Sequence, residues 1–243
     1  MNKYLFRQAL KITAPVFFGY IAIGIPFGLM LVGKGYPWWM SIVMSATMYA
    51  GAGQYIAVGL FASGATISTI IVTELFVNIR HIVYGLSLIT PFKSVGKWKP
   101  YLIFALTDET YALLTGCTLP KGAEPGSFYG TIALLDQSYW ILGSVIGAVA
   151  GQFIPPSYIN GVDFALSALF TVLLIEQIKK SHDIVPPIIG IVTTVGAIIL
   201  WKVGVLPSQN ILLLAIALGI AAIIIARGRH IKDGHTDSVG GAK

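Results

Sequence analysis

Apolar runs, each about as long as a bilayer is thick, follow one another along almost the whole chain, and a run of that length constrains a fold more than any motif does. A spanning helix needs about 20 mostly apolar residues. Runs of this kind cover residues 12–32, 39–61, 65–90, 101–118, 128–150 and 162–178, and two more follow at 188–205 and 211–226. Short segments rich in Gly, Pro and charge separate them, such as Gly33-Lys34-Gly35-Tyr36-Pro37 and the 119–127 loop. Trp38 and Trp39 form a pair of the kind that sits between headgroups and hydrocarbon. Composition agrees: of 243 residues, 56% are hydrophobic and 11% charged, whereas soluble domains carry about 25% charged residues. The solvent of the outer surface is therefore lipid. The expected fold is an all-α polytopic membrane protein with about eight transmembrane helices.

Basic residues gather on the cytoplasmic side of short loops. Lys3, Arg7 and Lys11 precede the first run, Lys179 and Lys180 follow the sixth, and Arg227, Arg229 and Lys232 follow the eighth. In an eight-span arrangement these clusters share one side, which makes both termini cytoplasmic. Lys93, Lys97 and Lys99 fall on the other side, unless one run is re-entrant. The net charge of +6 thus reads as an orientation signal, and no nucleic-acid partner is expected. Residues 1–226 read as one transmembrane domain, and 227–243 as a polar cytoplasmic tail without regular structure.

Several chemistries find no support. The single cysteine, Cys117, excludes an intramolecular disulfide. Residues 1–11 lead straight into a span without a small-residue cleavage site, so no cleavable signal peptide is expected. Walker A, His-Glu-x-x-His and Cys/His metal spacings are missing from the sequence, as is a local nucleophile–base set. Neither an enzyme nor a cofactor or metal is expected.

A faint internal echo bears on architecture. Gly53-Gln54-Tyr55-Ile56 recurs as Gly151-Gln152-Phe153-Ile154, and at the same offset 71–77 aligns with 169–175. If 10–92 and 100–180 are copies of three crossings each, the odd number inverts the second copy, and 188–226 adds two further helices. Coincidence within an apolar alphabet is the other reading.

An ionised group at the centre of a spanning helix costs about 2.5–3.5 kcal/mol on insertion scales, so polar positions inside the runs are where function is sought. The third run holds Thr73-Glu74-Leu75-Phe76-Val77-Asn78-Ile79-Arg80-His81. At about 100° per residue, Glu74, Asn78 and His81 share one face of a helix and Arg80 points to a neighbouring one. Such a stripe lines a solute or proton path, or else holds helices together through a Glu–Arg or Glu–His pair. In the fourth run, Asp108 and Glu109 are also about 100° apart, so only one is expected to face a shared cavity. The other is expected near the interface or at a helix break, since Thr107-Asp108 makes a good N-cap. Asp136 beside Gln137 lies moderately deep in the fifth run, while Glu176 next to Lys179 and Lys180 reads as a surface pair. Ala50-Gly51-Ala52-Gly53-Gln54 surrounds one amide with small residues, which suits a broken helix that frees backbone groups for a ligand, or close helix packing. The candidate substrate-binding or ion-coupling residues are therefore Gln54, Glu74, Asn78, Arg80, His81, Asp108, Glu109 and Asp136.

Three segments carry a family resemblance: Met48-Tyr49-Ala50-Gly51-Ala52-Gly53-Gln54-Tyr55, the run Asn78-x-Arg80-His81-x-x-Tyr84-Gly85-Leu86-Ser87, and Thr107-Asp108-Glu109. Together they resemble the AzlC family, the azaleucine-resistance, branched-chain amino acid permeases of bacteria. The resemblance extends over residues 10–206, and Arg-His inside an apolar span is its most specific piece. It implies export of branched-chain amino acids and their toxic analogues across the bacterial cytoplasmic membrane, together with a small membrane protein of the AzlD type. With no nucleotide-binding domain in the sequence, the chain reads as a secondary transporter, and a proton-motive drive is expected. A zwitterionic substrate needs a partner for its carboxylate, such as Arg80, a protonated His81 or glycine-rich backbone N–H groups. It also needs one for its ammonium (Glu74, Asp108 or Asp136) and an apolar pocket to which Phe76 and Tyr84 could contribute. A channel or proton leak would use the same polar stripe, and a structural membrane subunit would use it to bind a partner.

Overall fold

The structure, a computed structural model, describes residues 3–155, 161, 164–207 and 210–236. The expected start of the sixth run at 162–163, the side chains of Glu176 and of residues beyond Ala226, and the tail end at 237–243 lie outside the described residues. Regular structure among the described residues is all helical. The helices are α1 (Lys3–Gly33), α2 (Met40–Thr47), α3 (Gly51–Ala62), α4 (Ile67–Val77), α5 (Ile79–Ser87) and α6 (Lys99–Phe104). They continue with α7 (Asp108–Gly116), α8 (Pro125–Gly151), α9 (Phe164–Ser181), α10 (Val185–Lys202) and α11 (Ile211–Thr236). Two 3-10 turns, Pro91–Ser94 and Gly96–Trp98, fill the segment before α6. The last helix extends to Thr236, into the segment expected to lack regular structure from Arg227 onward.

Among the described residues, four helical stretches are long and apolar enough to cross a membrane: Lys3–Gly33, Ile67–Ser87, Pro125–Gly151 and Val185–Lys202. The count falls short of the expected eight for a physical reason. The runs at 39–61 and 101–118 are each interrupted, giving α2/α3 and α6/α7, and 65–90 is interrupted within the counted stretch Ile67–Ser87, giving α4/α5. At 1.5 Å per residue, α2 and α3 reach only about 12 and 18 Å, short of a hydrocarbon core of about 30 Å. Between α2 and α3 the chain passes through Tyr49, whose φ of 42° is left-handed, where a helix end usually places Gly. Asn78, at φ −96° and ψ 5°, separates α4 from α5. Between α6 and α7 the backbone is extended at Thr107, and the Thr107 hydroxyl accepts from the Thr110 N–H at 3.1 Å to cap α7.

The chain groups into two compact units, one formed by Met1–Ala62 with Asn78–Leu169, the other by Ser63–Val77 with Phe170–Lys243. In the first, α1 and α8 lie backbone to backbone. Gly24 and Gly28 of α1 meet Gly143, Ser144 and Gly147 of α8. A Cβ added at Gly28 would come 2.1 Å from the Ser144 carbonyl oxygen, and one at Gly147 would come 2.0 Å from that of Ile25. Both sequences are Gly-x-x-x-Gly, the spacing that lets spanning helices approach closely. Phe27 and Tyr55 pack edge to face beside this seam, and the Tyr55 hydroxyl donates to the Ile23 carbonyl at 2.7 Å. In the second unit, α11 packs against α10 and α4. Large apolar side chains such as Phe18, Ile71 and Leu75 stay exposed, as a lipid-facing surface requires.

The sequence echo ends in unlike places. Gln54 is fully buried in α3, whereas Gln152 and Phe153 follow the last turn of α8 with Phe153 82% exposed.

Candidate functional site

The helix interruptions set where the polar side chains go. Because α7 restarts at Asp108, its first turn carries Asp108 and Glu109 at the positive end of the helix dipole, a favourable place for carboxylates. Asp108 turns toward α5. It pairs with the Arg80 guanidinium through Oδ2, and its Oδ1 accepts from the Tyr84 hydroxyl at 2.5 Å. The pair is part-buried, with side chains 29% and 25% exposed, and Arg80 Nε has no hydrogen-bond partner among the described residues. Tyr84 stacks on Tyr111 with ring centres 4.4 Å apart, and the Tyr111 hydroxyl accepts from Ser87 at 3.0 Å. His81 lies alongside, its ring centre 6.1 Å from that of Tyr84.

Glu109 turns the other way, toward α1. The Tyr20 hydroxyl is 2.9 Å from Glu109 Oε2 and 2.6 Å from Thr107 Oγ1. Thr107 Oγ1 lies 3.1 Å from Thr110 Oγ1, and Thr110 donates to Asp136 Oδ2 of α8 at 2.9 Å. Asp136 and Thr110 are fully buried. Asp136 Oδ1 has no hydrogen-bond partner among the described residues. Tyr49, the left-handed residue between α2 and α3, lies beside Asp136, Thr110 and Tyr20, but its hydroxyl meets none of them in hydrogen-bond geometry.

One helical turn further along α8, a second network surrounds Gln54. Trp140 Nε1 donates to Gln54 Oε1 at 2.8 Å, and Gln54 Nε2 donates to Ser45 Oγ at 3.1 Å. Ser45 donates to Ser144 Oγ at 3.0 Å, and Ser144 to the Trp140 carbonyl at 2.8 Å. Each end of the Gln54 amide is thus engaged. The adjoining Gly51 leaves room for the Trp140 ring, to which an added Cβ would come within 3.1 Å.

Arg80 and Asp108 therefore meet, and Glu109 and Asp136 are joined through hydroxyls. Asp108 and Glu109 diverge to different neighbours, as side chains about 100° apart on a helix do, at the helix break that Thr107 caps. The stripe drawn through Glu74, Asn78 and His81 assumed an unbroken helix. The interruption at Asn78 breaks that count, and Glu74 belongs to the second compact unit while Asn78, Arg80 and His81 belong to the first. Sequence reasoning missed Tyr20 and Thr110, and with them the seam glycines. The spacing of Thr107 and Thr110 put them on one helix face; nothing local marked Tyr20.

Comparison with known proteins bears on what this arrangement serves. Residues 15–154, more than half of the chain, match the profile of the AzlC protein family. The branched-chain amino acid transport protein AzlC of Bacillus subtilis is 31% identical over 196 residues, which cover 81% of this chain and 77% of that protein. An uncharacterised membrane protein of Helicobacter pylori is 35% identical over 223 residues, 91% of this chain and 95% of its own. The inner membrane protein YgaZ of Escherichia coli is 29% identical over 185 residues, 74% of this chain and 76% of its own. No solved structure matches. A multi-pass membrane protein by its relatives and its apolar helices, the chain belongs to the AzlC family.

Proposed function

We propose that this protein is a secondary transporter that exports branched-chain and similar hydrophobic amino acids across the bacterial cytoplasmic membrane. One observation carries the reading: Arg80 and Asp108 form a part-exposed ion pair where two interrupted helices, α5 and α7, begin. Transporters commonly hold substrate at such interruptions. An amino acid zwitterion offers the same two charges as the pair, so its carboxylate can take Arg80 and its ammonium Asp108 as they part. The unpartnered Arg80 Nε supplies a further donor, and Arg binds carboxylates through paired N–H groups. The stacked Tyr84 and Tyr111 offer an apolar wall with polar tips.

In this reading the chain crosses the membrane about eight times with interrupted helices among the crossings, and its termini are cytoplasmic. Export is driven by the proton gradient and assisted by a small AzlD-type membrane subunit. His81, Asn78 and Glu74 stay candidates for substrate or ion contacts. The Gln54 network supports a packing role for that residue. The relative from Bacillus subtilis, named for branched-chain amino acid transport, supports the choice of substrate.

Counterflow of labelled leucine in proteoliposomes, with and without the small subunit, tests the proposal. Exchange suppressed by unlabelled valine or isoleucine, and lost in Arg80→Lys and Asp108→Asn, is the expected result. A folded protein that exchanges no leucine in either preparation sinks it.

A further inference from the structure

We infer that Glu109, Tyr20, Thr107, Thr110 and Asp136 form a proton wire that holds one exchangeable proton between two carboxyls. Four contacts link the five groups in series: Glu109 to Tyr20 at 2.9 Å, Tyr20 to Thr107 at 2.6 Å, Thr107 to Thr110 at 3.1 Å, and Thr110 to Asp136 at 2.9 Å. Each hydroxyl has a single proton to donate, and an ionised carboxylate has none. Three hydroxyls therefore fill three of the four contacts, and the fourth proton must come from one carboxyl in its acid form. With both carboxylates ionised, one contact would set two oxygens against each other without a proton, in a buried place where an unmade hydrogen bond is costly.

Two arrangements satisfy every contact. In the first, Glu109 is the acid and donates to Tyr20, Tyr20 to Thr107, Thr107 to Thr110, and Thr110 to the Asp136 carboxylate. In the second, Asp136 is the acid and donates to Thr110, Thr110 to Thr107, Thr107 to Tyr20, and Tyr20 to the Glu109 carboxylate. Passing from the first to the second moves each of the four protons one oxygen along: Glu109 loses an O–H bond, Asp136 gains one, each hydroxyl loses one and gains one, and one net proton passes between the carboxyls. The Thr110 N–H occupies one acceptor position of Thr107 in both arrangements, so the Thr107 oxygen stays in line as one proton leaves it and another arrives.

The neighbourhood favours one shared proton. Tyr20, Thr107, Thr110 and Asp136 are at most 6% exposed. Titratable and charged groups approach from every packed element. On the α7 side, Asp108 is already paired with Arg80 and Tyr84 of α5, with His81 beside them. From the α2–α3 junction Tyr49 faces Asp136. On α8 itself, Gln137 is taken up by the Tyr101 hydroxyl of α6 at 2.8 Å and the Ala46 carbonyl at 3.1 Å. No cation among the described residues pairs with Glu109 or Asp136. The Glu109 end adjoins Asp108, the proposed ammonium site, so substrate and proton would meet at adjacent residues of one helix turn. That last step rests on the transporter reading; the wire does not.

Infrared difference spectroscopy of the purified wild-type protein tests the wire without any substrate. One protonated carboxyl near neutral pH is expected, its C=O band shifted in Thr110→Val and Tyr20→Phe, preserved in Thr110→Ser, and altered in Glu109→Gln and Asp136→Asn. The absence of a protonated carboxyl sensitive to Glu109 or Asp136 overturns the inference. In proteoliposomes, leucine flux driven by a pH gradient should fall about tenfold or more in Thr110→Val and Tyr20→Phe, with counterflow exchange largely kept and Thr110→Ser restoring the coupled flux. Coupled flux at the wild-type rate in Thr110→Val overturns the coupling role. The expected infrared bands in a protein that exchanges no leucine would uphold the wire and dismiss the proposed substrate.

Discussion

Two buried polar networks sit on one face of α8, at Asp136 and at Trp140 with Ser144, a helical turn apart. They differ in how their protons add up. Around Gln54 every contact has its own donor: the indole N–H, the amide, then two serine hydroxyls in sequence, the last closing on a backbone carbonyl. That network is neutral, with a donor for each of these contacts, and it ties α2, α3 and α8 together. Around Asp136 the chain of hydroxyls ends on carboxyls at both sides and is one proton short. Burial alone therefore does not mark a functional polar group. The useful distinction is whether a network can be satisfied from within or must borrow a proton from outside.

The largest expected effect removes the ground on which both networks stand. Gly147→Leu forces a side chain into the Ile25 backbone, and the overpacking should cost about 3 kcal/mol or more. No monodisperse peak should survive size-exclusion of the detergent extract; a well-folded variant would mean that the seam does not set the α1–α8 distance. Next comes the complete network. Trp140→Phe leaves the Gln54 carbonyl without its donor, worth about 1–3 kcal/mol. Thermal unfolding should show a lower Tm, with leucine exchange per folded molecule unchanged. If exchange fell while Tm held, the two networks would not be separable as drawn.

Asp136→Asn should change stability by less than about 1 kcal/mol, because the amide oxygen can still accept from Thr110. Flux driven by a pH gradient should nevertheless disappear. A large fall in Tm without loss of that flux would make Asp136 structural. The smallest effect belongs to a carboxylate in water. Glu124, exposed ahead of α8, caps the helix by accepting from the Ser127 N–H at 3.1 Å and from the Ser127 hydroxyl. The Ser127 hydroxyl, first among its neighbours, lowers its pKa below the ordinary glutamate value. A lowered folded-state pKa gives stability that is present above the unfolded value of about 4.3 and is lost as pH falls through the folded one. Glu124→Gln should therefore lower Tm slightly at neutral pH and have no effect in acid. An equal deficit at both pH values would assign the cap to shape rather than charge.

The long helices α1, α8 and α10 could be read from hydropathy, since a continuous apolar run of bilayer length has few other uses. The interruptions could not. A hydropathy window averages over a left-handed Tyr49 or an extended Thr107 without registering either, although Thr107-Asp108 was visible as a capping pair. The same blindness let Glu74, Asn78 and His81 be placed on one unbroken face. Arg80, Asp108, Glu109 and Asp136 stood out because charge is expensive in hydrocarbon, but their grouping depends on where the helices stop. Tyr20 and Thr110 carry no such signal, because a lone hydroxyl in an apolar run is common and its partners lie on other helices.

The glycine seam between α1 and α8 has a mechanical consequence. With backbone set against backbone and no side chain between them, the two helices have no compliant layer through which to slide. At Gly28 or Gly147 even a single added Cβ would run into the neighbouring main chain. They behave as a chassis, and whatever strokes the protein makes must be borne by its short, hinged pieces.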